Sequence, residues 1–404
     1  MSAHAFDTGA LQTTGQDHCP FIPVFGAPQV MFERGSGTEL WDSNGKRYLD
    51  FLCGIAVTSL GHANPVVAEA ICHQANTLLH VSNFFSNPVA TEAAVKLNAL
   101  LAEASGHQGQ VFFCNSGAEA NEAALKLARK FGGRGRHVVV SAFGSFHGRT
   151  LAALAATGQP AKHEPFQPMP DGFRHVPFND FAALEAMIDP SVAAVLLEPV
   201  QGEGGVVPAD AQYLRDVRAL CDERGMLLMM DEVQTGFART GEWFGFQHSG
   251  VVPDVVTLAK AMGNGMPVGA VWAKRDVAAV FQPGDHGSTY SGTALATAAV
   301  NAVIDEMRRL DAPRLARERG AELSTALRGL PGVTEVRGAG LLLAVELTPG
   351  IDSKAVYLSA LEHGLITNAV NATALRLAPP LTVSSAEIAE AVQILGSVLQ
   401  GFVQ

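Results

Sequence analysis

No stretch of this 404-residue chain holds the ~20 consecutive apolar residues of a membrane-crossing helix, so no membrane partner is expected. Basic residues are in deficit: 28 Lys and Arg stand against 39 Asp and Glu, for a formal net charge of −11. A chain without a basic stripe is a poor partner for nucleic acid. Small anions remain possible ligands, because local arginines and helix ends grip them. The five cysteines, Cys19, Cys53, Cys72, Cys114 and Cys221, form neither a CxxC pair nor a His-paired spacing. That speaks against a disulfide framework and against a metal site, and leaves reduced thiols. Repeats and low-complexity tracts are missing too. Residues 1–15 are polar and lack a basic segment followed by an apolar one, so no secretion signal is expected and the cytoplasm is the expected location.

What is there is a packed chain, 48% hydrophobic and 17% charged, long enough for two or more cores. Residues 16–60 read as extended pieces. Val30 to Trp41 is predicted as a hairpin with Gly35-Ser36-Gly37 at its tip, and a second turn at 42–45 precedes Tyr48 to Phe51. From about residue 66, helix and strand patterns alternate. Helices are expected at 66–80, 88–103, 119–131 and 211–224, and strands at 111–113, 137–142, 192–197, 226–230 and 253–260. Alternation of this kind specifies a mostly parallel sheet covered on both faces, with ligands at the carboxyl ends of its strands. Beyond about residue 300, helices at 294–310 and 313–330, strands at 333–338 and 341–347, and two more helices form a smaller α+β unit. The amino-terminal hairpin needs a sheet to lie against and is expected to join that unit.

Two of the predicted strands deliver ionisable residues. The run from Met226 ends in Asp231, and the run from Pro253 ends in Lys260. Pyridoxal phosphate requires such a pair. The lysine amine forms a Schiff base with its aldehyde, and the carboxylate keeps the pyridine nitrogen protonated, so that the ring accepts electrons when a substrate C–H bond breaks. Either residue alone is an ordinary strand-end charge. Lys274 also closes an apolar run, 267–273, with no acidic partner visible in the pattern.

Other segments supply company. Cys114 to Glu122 joins a strand to a helix: Asn115 or Ser116 can cap it, and Gly117 allows a ligand near the backbone, where free N–H groups and the helix dipole hold phosphate. In Gly144 to Thr150, Phe146 can stack on a flat ring and Arg149 can hold a carboxylate; equally, Phe146 can be core and Arg149 surface. Glu198 and Glu203 lie in a glycine-rich loop that either lines a site or caps a helix. Arg376 sits in an apolar stretch, where a charge must be paired or must await an anion.

Over nearly the whole chain, the ordered runs FFCNSGAEANEAALKLAR, FHGRT, EPVQGEGG, DEVQTGFARTG, PDVVTLAKA, GDHGSTYSG and LRLAPPL resemble the class III, ornithine-type aminotransferases. The resemblance implies an α/β fold of the fold-type-I, aspartate aminotransferase-like kind. It has a large cofactor domain at 61–300, a small α+β domain at 301–404, and 1–60 packed with the latter. It implies pyridoxal phosphate as cofactor, with Lys260 as Schiff-base lysine and proton shuttle and Asp231 on the pyridine nitrogen. Val233 and Phe146 would lie on opposite faces of the ring and Gln234 near the phenolic oxygen. Ser116, Gly117 and Ala118 would surround the phosphate, and Thr289 would reach the phosphate of a neighbouring subunit in a homodimer with shared sites. Among substrate contacts, Arg376 would bind an α-carboxylate and Arg149 the second carboxylate of 2-oxoglutarate or glutamate, with Ser288 nearby. Glu203 would neutralise Arg376 when the donor presents a distal amine.

Ile55 stands where ornithine-specific members resemble each other in having a tyrosine, which suits a donor whose α-amine is masked. The expected reaction is therefore transfer of the terminal amine of N-acetylornithine to 2-oxoglutarate, in arginine biosynthesis. Succinylornithine, ornithine, 4-aminobutyrate or succinyl-diaminopimelate as donor, and a non-catalytic cofactor binder, are the alternatives. Three stretches depart from the family pattern: Gly263-Asn264-Gly265-Met266-Pro267, Ser291-Gly292-Thr293-Ala294, and Ala238 in place of a glycine.

Overall fold

A computed structural model of the chain describes residues 21–26 and 28–403. The polar start at 1–15 and Cys19 lie outside them. Strands β1 (Phe32–Ser36), β2 (Glu39–Asp42) and β3 (Arg47–Asp50) form an antiparallel meander. Its first turn falls at Gly37-Thr38, one step later than the expected Gly35–Gly37 tip: Ser36 pairs with Glu39, and Gly37 carries the positive φ of +55°. Gly35 stays in the strand, where a Cβ would stand 2.7 Å from that of His62.

The central sheet contains β4 (Gly109–Cys114), β5 (Val138–Ala142), β6 (Phe173–Val176) and β7 (Val192–Leu197). After the short hairpin β8 (Val200–Gln201) and β9 (Val207–Pro208) come its remaining strands, β10 (Leu227–Asp231), β11 (Val255–Leu258) and β12 (Gly269–Lys274). Their order is β4-β12-β11-β10-β7-β5-β6, and β12 alone runs against its neighbours. Every residue of β5, β7, β10 and β11 is buried, as a parallel sheet sandwiched between helices demands. The strands run nearly without polar residues for that reason.

The helices begin where their caps say they should. Asn64 accepts from Val66 and Val67 N–H ahead of Pro65–Ala75, and Ser116 accepts from Glu119 N–H ahead of Gly117–Gly132. The first of these ends at Ala75 instead of reaching His80. Asn76 and Thr77 side chains take the carbonyls of Cys72 and His73, so side-chain hydrogen bonds replace further helix. Lys274 also differs from expectation. Its amine lies 2.8 Å from Asp254 at the head of β11, an antiparallel partner that the linear pattern hides.

In the carboxyl-terminal part lie β13 (Val333–Ala339), β14 (Leu342–Leu347), β15 (Leu365–Ile366), β16 (Asn368–Ala369) and β17 (Ala374–Leu377), with a helix at Ser353–Glu362 joining β14 to β15 and another at Ser385–Gln400 following β17. β13, β14, β17 and β16 make one antiparallel sheet, while β15 runs parallel to β3, with Leu49 opposite Leu365. The amino-terminal strands thus share a sheet with residues 365–366. Among the described residues no helix is long and apolar enough to cross a membrane.

Candidate active site

Three adjacent strands end side by side. Parallel pairing sets Met230 of β10 beside Leu197 of β7, and Asp231 beside Thr257 of β11. With strands about 4.8 Å apart, the residues just beyond them, Glu198, Asp231 and Lys260, must converge. They line one cavity of about 270 Å³ with Gly117, Ala118, Asn121, Phe146, His147, Gly148, Arg149, Glu203, Val233 and Gln234. Its size lies near the ~300 Å³ lower bound of small-ligand sites.

Lys260 adopts φ +48°, a left-handed conformation that costs a lysine about 1–2 kcal/mol and is kept where the surroundings impose it. Burial and then the charge of Arg376 lower its pKa from 10.5 to about 8, against the opposing pull of Glu203, Asp231 and Glu198. About a tenth of the amine is therefore uncharged at pH 7, a few hundred-fold more than in an ordinary lysine, and this is the form able to attack a carbonyl.

Asp231 is buried and fully engaged on its protein side. Asn121 Nδ2 donates to Oδ2 at 2.8 Å, His147 Nδ1 lies 2.8 Å from the same oxygen, and Val233 N–H donates to Oδ1 at 3.1 Å. Asn121 also donates to the His147 carbonyl and accepts from Thr257 Oγ1, which ties the helix, the strand end and the 144–150 loop together. This acid is held in one orientation. Glu198, beside it, is pushed well above the usual carboxyl range by burial and then by the charge of Asp231.

The helix Gly117–Gly132 begins at the cavity wall, where Gly117, Ala118 and Asn121 line it. The N–H groups of Gly117 and Ala118 have no hydrogen-bond acceptor among the described residues. A Cβ on residue 117 would stand 2.8 Å from Val233 Cγ1, so only glycine lets that side chain lie against the helix start. Phe146 lines the same cavity.

At the outer end, Arg376 of β17 is almost wholly buried. Its Nη1 lies 2.6 Å from Glu203 Oε1 and 3.3 Å from Gln234 Oε1, and its Nη2 donates to Asn368 Oδ1 at 2.8 Å. Burial alone would raise the Glu203 pKa; the charge and hydrogen bond of Arg376 outweigh it and hold the carboxyl below its ordinary value. Of the two readings open for Arg376, pairing is the one adopted here, by a partner on a half-exposed loop.

The expected residues divide into two groups. Lys260, Asp231, Gly117, Ala118, Phe146, Val233, Gln234, Arg149 and Glu203 line the cavity, with Arg376 bonded to two of them. Ser116 is the helix cap behind it, and Ile55, at φ +67°, does not line it. Ser288 bonds to Asn115 Nδ2 through its hydroxyl, and Thr289 is exposed outside the cavity.

Sequence reasoning did not single out Asn121, His147 or Gly148. Asn121 lies one helical turn beyond Gly117, and i, i+4 spacing from a phosphate-type helix start was the available signal. The family departures have local roles. Asn264 receives the Leu60 N–H and donates to the Gly61 carbonyl, Ser291 bonds to the Phe113 carbonyl, and Ala238 accepts a strained φ of +66° in a buried position.

Pyridoxal phosphate fits this set of donors. Free N–H groups at a helix start suit its phosphate, the fixed acid suits its ring nitrogen, and the Lys260 amine just past β11, without a partner among the described residues, suits its aldehyde. The shallow cradle made by Gly117 and Val233 admits a flat ring beside Phe146.

Comparison with known proteins agrees. A family model described as aminotransferase class-III matches residues 25–399. Proteins named acetylornithine aminotransferase from Gloeobacter violaceus and Caldanaerobacter subterraneus are 49% and 47% identical, over 91% and 92% of this chain and 93% and 94% of theirs. The ornithine aminotransferase of Toxoplasma gondii superposes with a TM-score of 0.89 at 34% identity, covering 95% of this chain and 93% of that one. A second structure of that enzyme is described as having partial occupancy of PLP at its active site. The N-acetylornithine aminotransferase of Stenotrophomonas maltophilia gives 0.80 at 35% identity, covering 93% and 96%.

Proposed function

The chain belongs to the class III aminotransferases, and on that premise we propose that it moves the terminal amine of N-acetylornithine to 2-oxoglutarate, giving N-acetylglutamate 5-semialdehyde and glutamate, a step of arginine biosynthesis. The observation that carries this reading is the Arg376–Glu203 pair inside the cavity of Lys260 and Asp231. A donor whose reacting amine lies far from its α-carboxylate brings no anion to Arg376, and Glu203 supplies one. A dicarboxylate acceptor brings its own, and Glu203, on a glycine-flanked loop, swings away. One site thereby accepts two unlike substrates without stranding a buried charge.

When bound, pyridoxal phosphate supplies an electron sink that allows the C–H bond beside the amine to break. The remaining work belongs to side chains. Lys260 would hold the cofactor aldehyde and would take up the proton released from the substrate carbon, with a pKa suited to giving and taking it near neutral pH. Asp231, braced by Asn121 and His147, holds a proton on the ring nitrogen. Val233, Phe146 and Gln234, which line the same cavity, would hold the cofactor ring. Arg149 takes the carboxylate remote from the reacting carbon. We infer that residues 61–300 form the cofactor-holding domain and 301–404 a smaller one, with the amino-terminal segment packed against the latter.

A homodimer is part of the same proposal. Phe84 and Phe85 are 92% and 72% exposed, and Leu79 and Tyr290 lie open near them. Asn83 Nδ2 bonds to the Ser288 carbonyl, so this apolar patch adjoins Thr289. A patch of this kind marks an interface, and a second copy docked there would bring Thr289 toward its partner's phosphate cradle. Sedimentation is expected to give twice the chain mass of 42.4 kDa. A cytoplasmic location is inferred with it.

The experiment that tests the donor assignment is a panel of acylated and free diamines with 2-oxoglutarate, with products identified by mass spectrometry. Turnover of ornithine equal to that of N-acetylornithine would defeat it. A second expectation concerns pH. Reloading of cofactor-free protein with pyridoxal phosphate should quicken as pH rises and level off above about 8, because only the uncharged Lys260 amine attacks. Absorbance stopped-flow between pH 6 and pH 9 checks this, and a flat profile would contradict the lowered pKa.

A further inference from the structure

Beyond the sheet, β5 leads through the 144–150 loop to a helix at Leu151–Ala156 and a single turn at Pro160–His163. That turn is pinned against the loop. Gln159 Nε2 donates to the Ser145 carbonyl at 2.9 Å, Gly158 N–H to Ser145 Oγ at 2.9 Å, and His147 N–H to Thr157 Oγ1 at 2.9 Å. The crossing is close: a Cβ on residue 158 would stand 2.0 Å from the Ala142 carbonyl oxygen. The side chain delivered by this packing is Lys162. Its Nζ lies 5.2 Å from the centre of the Phe146 ring, and Arg149 Cζ lies 5.6 Å from the same centre.

Two cations are thus held over one aromatic ring at the edge of the catalytic cavity. Neither forms an ion pair with a carboxylate among the described residues. Glu203, the acid that acts on Lys162, is already committed to Arg376. The cost is visible in Lys162, whose pKa is lowered by burial and then by Arg149. Like charges placed together without a counter-ion await one from a ligand.

We propose that Lys162 is a second cationic contact, beside Arg149, for the substrate carboxylate remote from the reacting carbon, and so sets specificity for acidic substrates in both half-reactions. This rests on the donor and acceptor proposed above. In the donor the group is the α-carboxylate of the acylated ornithine. In the acceptor it is the distal carboxylate of 2-oxoglutarate. Each bears its anion at the end opposite the reacting atom, so one fixed cation pair serves both while Glu203 and Arg376 exchange roles.

The test uses the holoenzyme. Lys162→Met is expected to raise the KM for N-acetylornithine and for 2-oxoglutarate about tenfold each, the size of one charge-assisted hydrogen bond in a half-exposed site, with kcat changed less than twofold. Lys162→Arg is expected to restore most of the loss. A donor with its carboxylate amidated should be poor for the wild type and no worse for Lys162→Met, because the interaction is then absent in both. Unchanged KM values, or an equal further loss with the amidated donor, would overturn the proposal. If Lys162→Met fails to fold, Lys162→Gln replaces it in the same cycle. Failure of the donor assignment shows in the wild type alone; the acceptor KM is then read with whichever amine the wild type accepts.

Discussion

Lys260→Ala is expected to abolish turnover, by a factor of about 10⁴ or more, because one group serves as both nucleophile and proton carrier. The fold should survive. The side chain faces the cavity, and alanine occupies the same left-handed backbone without adding strain beyond that borne by lysine. In the cofactor-free protein the variant should be the more stable of the two at pH 7. The folded state lowers the lysine pKa from 10.5 to about 8, so holding the charged amine there costs on the order of 3 kcal/mol at 1.36 kcal/mol per unit. The sign follows from proton binding. Between about pH 8 and 10.5 the unfolded chain keeps a proton that the folded one has released, so wild-type stability rises with pH across that window. The advantage of the variant is therefore largest below pH 8 and is gone above 10.5. Denaturant unfolding at pH 7 and pH 10.5, at fixed protein concentration, measures both limits. A wild type more stable than Lys260→Ala at pH 7 would mean that the lysine is no strained cation.

That activity and instability meet at one residue explains why the strand ends were legible. The runs before Asp231 and Lys260 are apolar because both faces of β10 and β11 are covered, and a charge that ends such a run has to be there for chemistry or for pairing. The same logic, applied locally, failed at Lys274. Its partner, Asp254, precedes β11 and meets it only because β12 turns back antiparallel, and strand direction is not written in a run of hydrophobic residues. One helix start was readable from Ser116, a capping side chain ahead of a periodic stretch; in the fold Asn64 and Asp210 cap the helices after them in the same way. The end of the first helix was not, because Asn76 and Thr77 compete for its carbonyls through side chains whose geometry appears only in the fold.

In the site, residues next to a glycine-rich turn or a strand end could be named in advance. Asn121 had only its spacing from Gly117 and His147 had no signal, since their role is to hold Asp231 and arises from the meeting of three separate segments. Lys162 belongs with them. Alone in its sequence it is a surface lysine on a short turn; above Phe146 and beside Arg149 it is part of an anion site.

Removing the acid of the Arg376 pair should split the two half-reactions. In Glu203→Ala the arginine keeps Asn368 and the longer contact to Gln234 but loses the one carboxylate it pairs with among the described residues, at 2.6 Å. The distal-amine donor then faces an uncompensated buried cation, and its kcat/KM is expected to fall about 10- to 100-fold, the 1.5–3 kcal/mol of a charged hydrogen bond. Glutamate, whose α-carboxylate satisfies the arginine itself, should react as fast as before or faster, because it no longer has to displace Glu203. Protonation should mimic the substitution. Burial would raise the carboxyl pKa, but Arg376 holds it below the ordinary value, so the donor half-reaction should keep its rate through mildly acidic pH and decline only as Glu203 takes up a proton. Glu203→Gln separates charge from shape. It retains a hydrogen-bond acceptor for the arginine and should recover little of the donor rate if neutralising charge is what matters. Single-turnover absorbance with each substrate in turn reads the two halves separately. Equal losses with N-acetylornithine and with glutamate would reduce the pair to a structural brace, and the swinging carboxylate would then have no part in substrate choice.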